Sequence, residues 1–125
     1  MQWVGIDLVE IARIERSLSR PRFWERVFGP EERAALNKKS GSRLAQSAAA
    51  AFAAKEAFSK ALGTGIRGFG LQEVQLLHDD LGAPCLRLSG RAAAMAAERR
   101  LEFAVSVTHT AGLAAAVVTA YTESP

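Results

Sequence analysis

Glu56 and Lys60 stand four residues apart in the run Phe52-Ala53-Ala54-Lys55-Glu56-Ala57-Phe58-Ser59-Lys60-Ala61. Four-residue spacing stacks two side chains on one face of a helix. Taken alone, such a pair is a surface contact worth a few tenths of a kcal/mol. Asp7 is a second anomaly, because it interrupts the apolar run Trp3, Val4, Ile6, Leu8 and Val9. A carboxylate in an apolar strand needs a partner or an ion, unless it caps the helix that follows. Asp7 and Glu56 are the two acids suited to hold a metal. Two oxygen ligands completed by waters and a substrate diphosphate suit Mg²⁺. With one cysteine and two histidines, the chain lacks the ligands of an ordinary zinc site.

The helix carrying Glu56 runs into Gly63-Thr64-Gly65-Ile66-Arg67-Gly68. These letters fit G-x-G-x-x-G, but the dinucleotide fingerprint needs a strand before the glycines and a helix after them. Here the order is reversed. Gly63 and Gly65 would still let backbone amides approach a phosphate, or they form a helix cap and a flexible connection. Ser106-Val107-Thr108-His109 puts His109 at the end of an alternating strand, near a turn. A Ser/His hydrolase would lack a nucleophile elbow and a third member. Arg13, Arg16, Arg20, Arg22 and Arg26 make the densest basic patch. It is either a solvated helix face or a dock for a polyanion or acidic helix.

The elements that must position these residues follow from periodicity and breakers. Gln2 to Glu10 reads as a strand, and Ile11, Ile14 and Leu18 recur at helical spacing. Pro21 stops that helix, and Phe23, Trp24, Val27 and Phe28 form a short amphipathic segment. Pro30-Glu31-Glu32 is a helix start, and residues 37–42 are a polar loop. The main helix runs from about Ser42 to Leu62 with Gly63 as its carboxyl cap. It is apolar on several sides, which makes it central. Gln72 to His78 and Pro84 to Leu88 form a hairpin across the turn 79–83. A helix from Arg91 to about Arg100 follows. Glu102 to Thr108 alternates, residues 109–112 are a turn, and Leu113 to Ala120 is a final strand with a tail beyond it. This order of helices and hairpins argues an α+β fold with mainly antiparallel strands, in one domain over residues 1–125.

The 125 residues are 49% hydrophobic, much of it alanine, so an interface between subunits would help bury enough surface. The net charge of +3 favours an acidic partner. Little aromatic interleaving and no recognised motif weigh against nucleic acid. Lone Cys85 excludes an intrachain disulfide framework and reads as a small buried strand residue. No signal peptide and no apolar run of about 18 residues is evident, which argues a cytoplasmic protein with no membrane span.

Three of these stretches together resemble a known family, the holo-acyl-carrier-protein synthases, which are short bacterial phosphopantetheinyl transferases. Gly5-Ile6-Asp7-Leu8-Val9-Glu10-Ile11 is similar to their first motif. Phe52 to Ala61 with Gly63-Thr64-Gly65 is similar to their signature, and Ser106-Val107-Thr108-His109 resembles their Ser-x-Ser/Thr-His motif. The resemblance implies the phosphopantetheinyl transferase fold. It also implies transfer of 4′-phosphopantetheine from coenzyme A to a serine hydroxyl of apo-acyl carrier protein, in fatty-acid or polyketide synthesis, releasing adenosine 3′,5′-bisphosphate. By position, Asp7 and Glu56 match the Mg²⁺ ligands, Lys60 a lysine near the reacting phosphate, and His109 a histidine near the coenzyme A phosphates. Arg13 matches an arginine on the helix that docks the carrier. Relatives are usually homotrimers with coenzyme A in clefts between subunits. The serine proton needs an acceptor, and Glu56, a metal-bound water and neutral Lys60 all remain open. Many relatives carry an arginine where this chain has Ala51. The competing reading is a non-catalytic basic module that binds nucleic acid or an acidic protein through the arginine patch and needs neither Asp7 nor Glu56.

Overall fold

The computed structural model describes residues 2–65 and 67–122. In chain order they form β1 (Gln2–Glu10), α1 (Ile11–Ser17), α2 (Pro21–Val27), α3 (Pro30–Leu36), α4 (Gly41–Leu62), β2 (Val74–His78), β3 (Pro84–Leu88), α5 (Gly90–Glu98), β4 (Leu101–Thr110) and β5 (Leu113–Thr122). One turn of 3₁₀ helix, Leu71–Glu73, precedes β2. β5 lies between β1 and β4 in an antiparallel three-stranded sheet, and β2 and β3 make a separate antiparallel hairpin. The architecture is the expected α+β arrangement, with a long helix laid across one face of the sheet.

Small side chains set how closely α4 approaches that sheet. Ala48, Ala49, Ala53, Ala54 and Ala57 on α4 are fully buried, as are Ala114, Val118 and Ala120 on β5. Gly5 of β1 sits directly beneath the helix: a Cβ there would fall 2.0 Å from the Ala57 carbonyl oxygen and 2.6 Å from the Ala61 nitrogen. Only glycine permits that approach. Phe58 then fills the space between helix and sheet, edge-on to Phe69 at 5.5 Å and tilted against Phe103 at 4.8 Å between centroids.

A buried polar knot ties α3 and β2 to the other side of α4. The Lys55 Nζ donates to Glu32 Oε1 at 2.6 Å and to the Val74 carbonyl at 2.5 Å. Glu32 also accepts from the Gly29 and Leu76 amides. Gln75 Oε1 accepts from the Glu31 and Glu32 amides, satisfying donors at the start of α3. Among the described residues, no buried side-chain nitrogen or oxygen lacks a partner. Burial pulls the Lys55 ammonium below its usual range, while Glu32 opposes that shift.

Several boundaries and one environment differ from the sequence reading. Residues 72 and 73 belong to the 3₁₀ turn rather than to β2. α4 starts at Gly41, and α5 spans Gly90–Glu98. His109 and Thr110 are paired strand residues opposite Ala114 and Leu113, because the turn is only Ala111–Gly112, both with positive φ (47° and 83°). Two such central residues make the tight hairpin whose twist matches its strands. β5 continues through Thr122, and the rest of the expected tail, residues 123–125, lies outside the described residues. Cys85 is exposed rather than buried. Strand alternation turns Pro84, Leu86 and Leu88 inward, which leaves Cys85 and Arg87 on the outer face.

Candidate active site

The close passage of β1 under α4 brings together two acids separated by 49 positions of sequence, Asp7 and Glu56. Along β1, Trp3, Gly5, Asp7 and Val9 face the helix, while Val4, Ile6 and Leu8 face outward. Lys60 reaches back over the strand, donating to the Ile6 carbonyl at 2.9 Å and to Asp7 Oδ1 at 3.2 Å. The lysine of the four-residue pair is thus bonded to the strand carboxylate. Glu56 is half-buried and its carboxyl is raised above the ordinary 4.5. Burial is the main cause and the nearby Asp7 charge the second, with Lys60 and Arg13 pulling the other way. Arg13 belongs to this neighbourhood as well: its guanidinium lies 5.8 Å over the Phe52 ring, one turn before Glu56.

Two carboxylates held near one another raise each other's energy unless a cation lies between or beside them. Lys60 serves only partly, because its side chain is 54% exposed. Hard oxygen donors of this kind fit a hard divalent cation that also takes water or phosphate oxygens. Among the described residues, no group of three or more His, Cys, Asp or Glu side chains gathers to hold a metal by itself.

Past Lys60 the helix ends at Gly63, which caps it in the left-handed region (φ 77°) and donates its amide to the Ser59 and Lys60 carbonyls of the last turn. Gly65 also has positive φ (64°), and open space lies where either glycine's Cβ would be. Among the described residues, no hydrogen bond occupies the Thr64 or Gly65 amide. Both are therefore available to an anion. Ile66, in the same motif, lies outside the described residues.

His109 is not drawn into the cluster. It is exposed on β4 in the row of Val9 and Ala114, whereas Asp7 shares its row with Ala116 and Val107. Two strand spacings and one pleat separate His109 from Asp7, roughly 12 Å between Cα atoms. Ala51 is buried at 3% exposure, so packing fills the position where an arginine was expected from the resemblance. The basic patch has a shape the sequence did not convey: Arg20, Arg22, Phe23 and Arg26 wall an open groove of about 780 Å³, closed on its other side by Phe69 to Gln72. Lys55 was the residue least visible beforehand. Its signal was its place in the stripe Ala51, Lys55, Phe58 and Leu62, where a charge must be buried and paired.

A profile of the 4′-phosphopantetheinyl transferase superfamily matches residues 3–118. A holo-[acyl-carrier-protein] synthase of Caldanaerobacter subterraneus is 42% identical over 120 residues, covering 94% of this chain and 93% of that relative. A holo-(acyl-carrier-protein) synthase of Bacillus anthracis, solved in complex with CoA (3′,5′-ADP), superposes with a TM-score of 0.83 at 34% identity, over 97% of this chain and 96% of that one. That of Helicobacter pylori, solved in complex with coenzyme A, gives 0.81 at 34% identity over 94% and 99%. The chain belongs to the 4′-phosphopantetheinyl transferase superfamily. Within it, the similarity to holo-[acyl-carrier-protein] synthases runs nearly end to end, with all three motifs inside the matched region.

Proposed function

We propose that this protein transfers the 4′-phosphopantetheine arm of coenzyme A to a serine hydroxyl of an apo-acyl carrier protein, leaving adenosine 3′,5′-bisphosphate. The observation that carries this reading is the convergence of Asp7, Glu56 and Lys60 from β1 and α4 beside an open glycine loop. The serine oxygen forms a bond to the phosphorus that bears pantetheine, and the bridging P–O bond of the diphosphate breaks. Negative charge then grows on the departing phosphate oxygen. Lys60, exposed and one turn past Glu56, supplies a positive charge to that oxygen. The amides after Gly63 bind phosphate oxygens. Glu56, with its raised pKa, is a side chain of the cluster able to take the serine proton.

Asp7 and Glu56 would hold Mg²⁺, which would act as a Lewis acid on the diphosphate. Arg13 lies over Phe52, whose ring stacks on Phe23 of the groove lined by Arg20, Arg22 and Arg26, a basic surface suited to an acidic carrier. That carrier serves fatty-acid or polyketide synthesis. Among the described residues, no helix is long and apolar enough to cross a membrane. The free, exposed Cys85 suits the reducing cytoplasm.

We read the working form as a homotrimer. Val4, Ile6 and Leu8 are 64%, 65% and 63% exposed on the sheet face turned away from α4. A contiguous apolar strip of this kind marks a protein contact. Assembly through it supports a site shared between copies, in which a neighbour's His109 joins Asp7 and Glu56 at the coenzyme A phosphates.

The test is intact-mass spectrometry of an apo-acyl carrier protein incubated with this protein, coenzyme A and Mg²⁺. A gain of about 340 Da, the mass of the arm, that vanishes with EDTA is the expected result. No gain across several carriers, with the protein folded, overturns the reading in favour of a basic binding module. Steep salt-dependent binding to generic nucleic acid would then support that module.

A further inference from the structure

The glycine loop is tied near both ends to α5 and the turn beside it. Arg99, the residue capping α5, donates from Nη1 to the Leu62 carbonyl at 2.8 Å, where the loop leaves α4. Its guanidinium also lies 5.5 Å over the Trp3 ring of β1, which fixes its direction. Arg91, in the first turn of α5, donates from Nε to the Gly68 carbonyl at 2.6 Å. Gly68 is further backed by the Met95 sulfur, 3.7 Å from where its Cβ would be. Glu73 closes the far end: its Oε1 accepts from the Gly70 amide and from the Ala92 amide at the start of α5. Three side chains thus tie both ends of the loop to one helix, while the stretch around Gly63 and Gly65 stays open.

We propose that Arg91 and Arg99 are positioning residues, a two-point clamp through which α5 presets the glycine loop for the phosphates of coenzyme A. This rests on the reading of the loop as the coenzyme A phosphate contact. A loop with three positive-φ glycines, Gly63, Gly65 and Gly68, has many accessible shapes. Binding must select the competent one, so apparent affinity falls in proportion to its population. The clamp raises that population before coenzyme A arrives, and its two cations sit beside an anion site without being its ligands. Neither arginine lines the carrier-side groove, and its loop wall is held instead by Glu73 at the Gly70 amide and by Phe58 against Phe69, so the carrier constant should not depend on the two arginines.

The experiment compares Arg91→Met/Arg99→Met, Arg99→Lys and Gly65→Ala with the parent, by KM for coenzyme A, KM for apo-carrier protein, kcat and melting temperature. The double variant is expected to raise KM for coenzyme A about tenfold, as when the competent loop falls to about a tenth of molecules. The carrier KM should stay within about twofold, and Arg99→Lys, which keeps a donor for the Leu62 carbonyl, should raise KM for coenzyme A less than the double variant does. Hydrogen exchange at residues 63–65 and 67–68 should quicken in the double variant without coenzyme A. Gly65→Ala, strained by its positive φ, should raise the same constant by itself. If Gly65→Ala raises it and the double variant does not, the clamp is overturned and the loop reading stands. If neither raises it, the loop reading fails and the clamp with it. A double variant in which both KM values rise together with a falling melting temperature reports general loosening, which also overturns the clamp.

Discussion

Glu56 is the side chain on which most of the chemistry turns, and its environment makes two measurable statements. Replacing it with glutamine keeps size and hydrogen bonding but removes the charge. Transfer should fall about 100-fold or more at saturating Mg²⁺ and coenzyme A, with the circular dichroism spectrum unchanged. Retained transfer would remove Glu56 from the proposed metal site. The second statement concerns pH. Burial and the Asp7 charge raise the Glu56 carboxyl above 4.5, so the folded chain holds this proton more tightly than the unfolded chain does. The contribution to stability is therefore fully present below pH 4.5 and is lost as pH rises through the raised value. In EDTA, Glu56→Gln should melt above the parent at pH 7, and the difference should shrink toward pH 4. A constant difference across that range would contradict the assignment.

The contacts between elements decide whether Asp7 and Glu56 meet at all. Gly5→Ala would put a methyl 2.0 Å from the Ala57 carbonyl, against helix backbone that has no rotamer to yield. We expect a loss of about 1–3 kcal/mol from overpacking and a fall in transfer well beyond it, since α4 must shift relative to β1. Urea denaturation and the kinetic assay measure the two parts separately. Lys55 gives the complementary case on the opposite side of α4. Lys55→Met leaves Glu32 as an uncompensated buried charge, expected to cost about 3–5 kcal/mol in the same denaturation measurement. Its nearness to Glu56 in sequence is misleading, because one lies in the core and the other faces the site.

For the molecule as a unit, the outer face of β1 is the feature that a lone chain leaves unexplained. Ile6→Asp puts a charge in the middle of the apolar strip Val4, Ile6 and Leu8 without touching the helix-facing residues. We expect light scattering after size-exclusion chromatography to find trimers for the parent and monomers for the variant. Transfer should be lost although the carboxylates remain, because His109 would have no neighbour to serve. A monomeric parent, or a monomeric variant with full activity, would refute the shared-site reading.

The residue types at Asp7, Glu56, Lys60 and Gly63 to Gly65 were readable from the chain because local rules govern them. Four-residue spacing fixes a helix face, alternation fixes a strand face, and a glycine after an apolar helix fixes its cap. Those rules also gave the α+β order and the antiparallel strands. They could not say that Lys60 would bond Asp7, since that contact crosses 53 positions of sequence and depends on how far Gly5 lets β1 approach α4. Nor could they place Lys55 against Glu32, turn Cys85 outward, or carry β4 as far as Thr110 through a two-residue turn without an Asn-Gly signal. The sequence determined which groups are available and which face each presents. Tertiary packing decided which of them meet, because distance between elements is set by the side chains lying between them, here a glycine and a row of alanines.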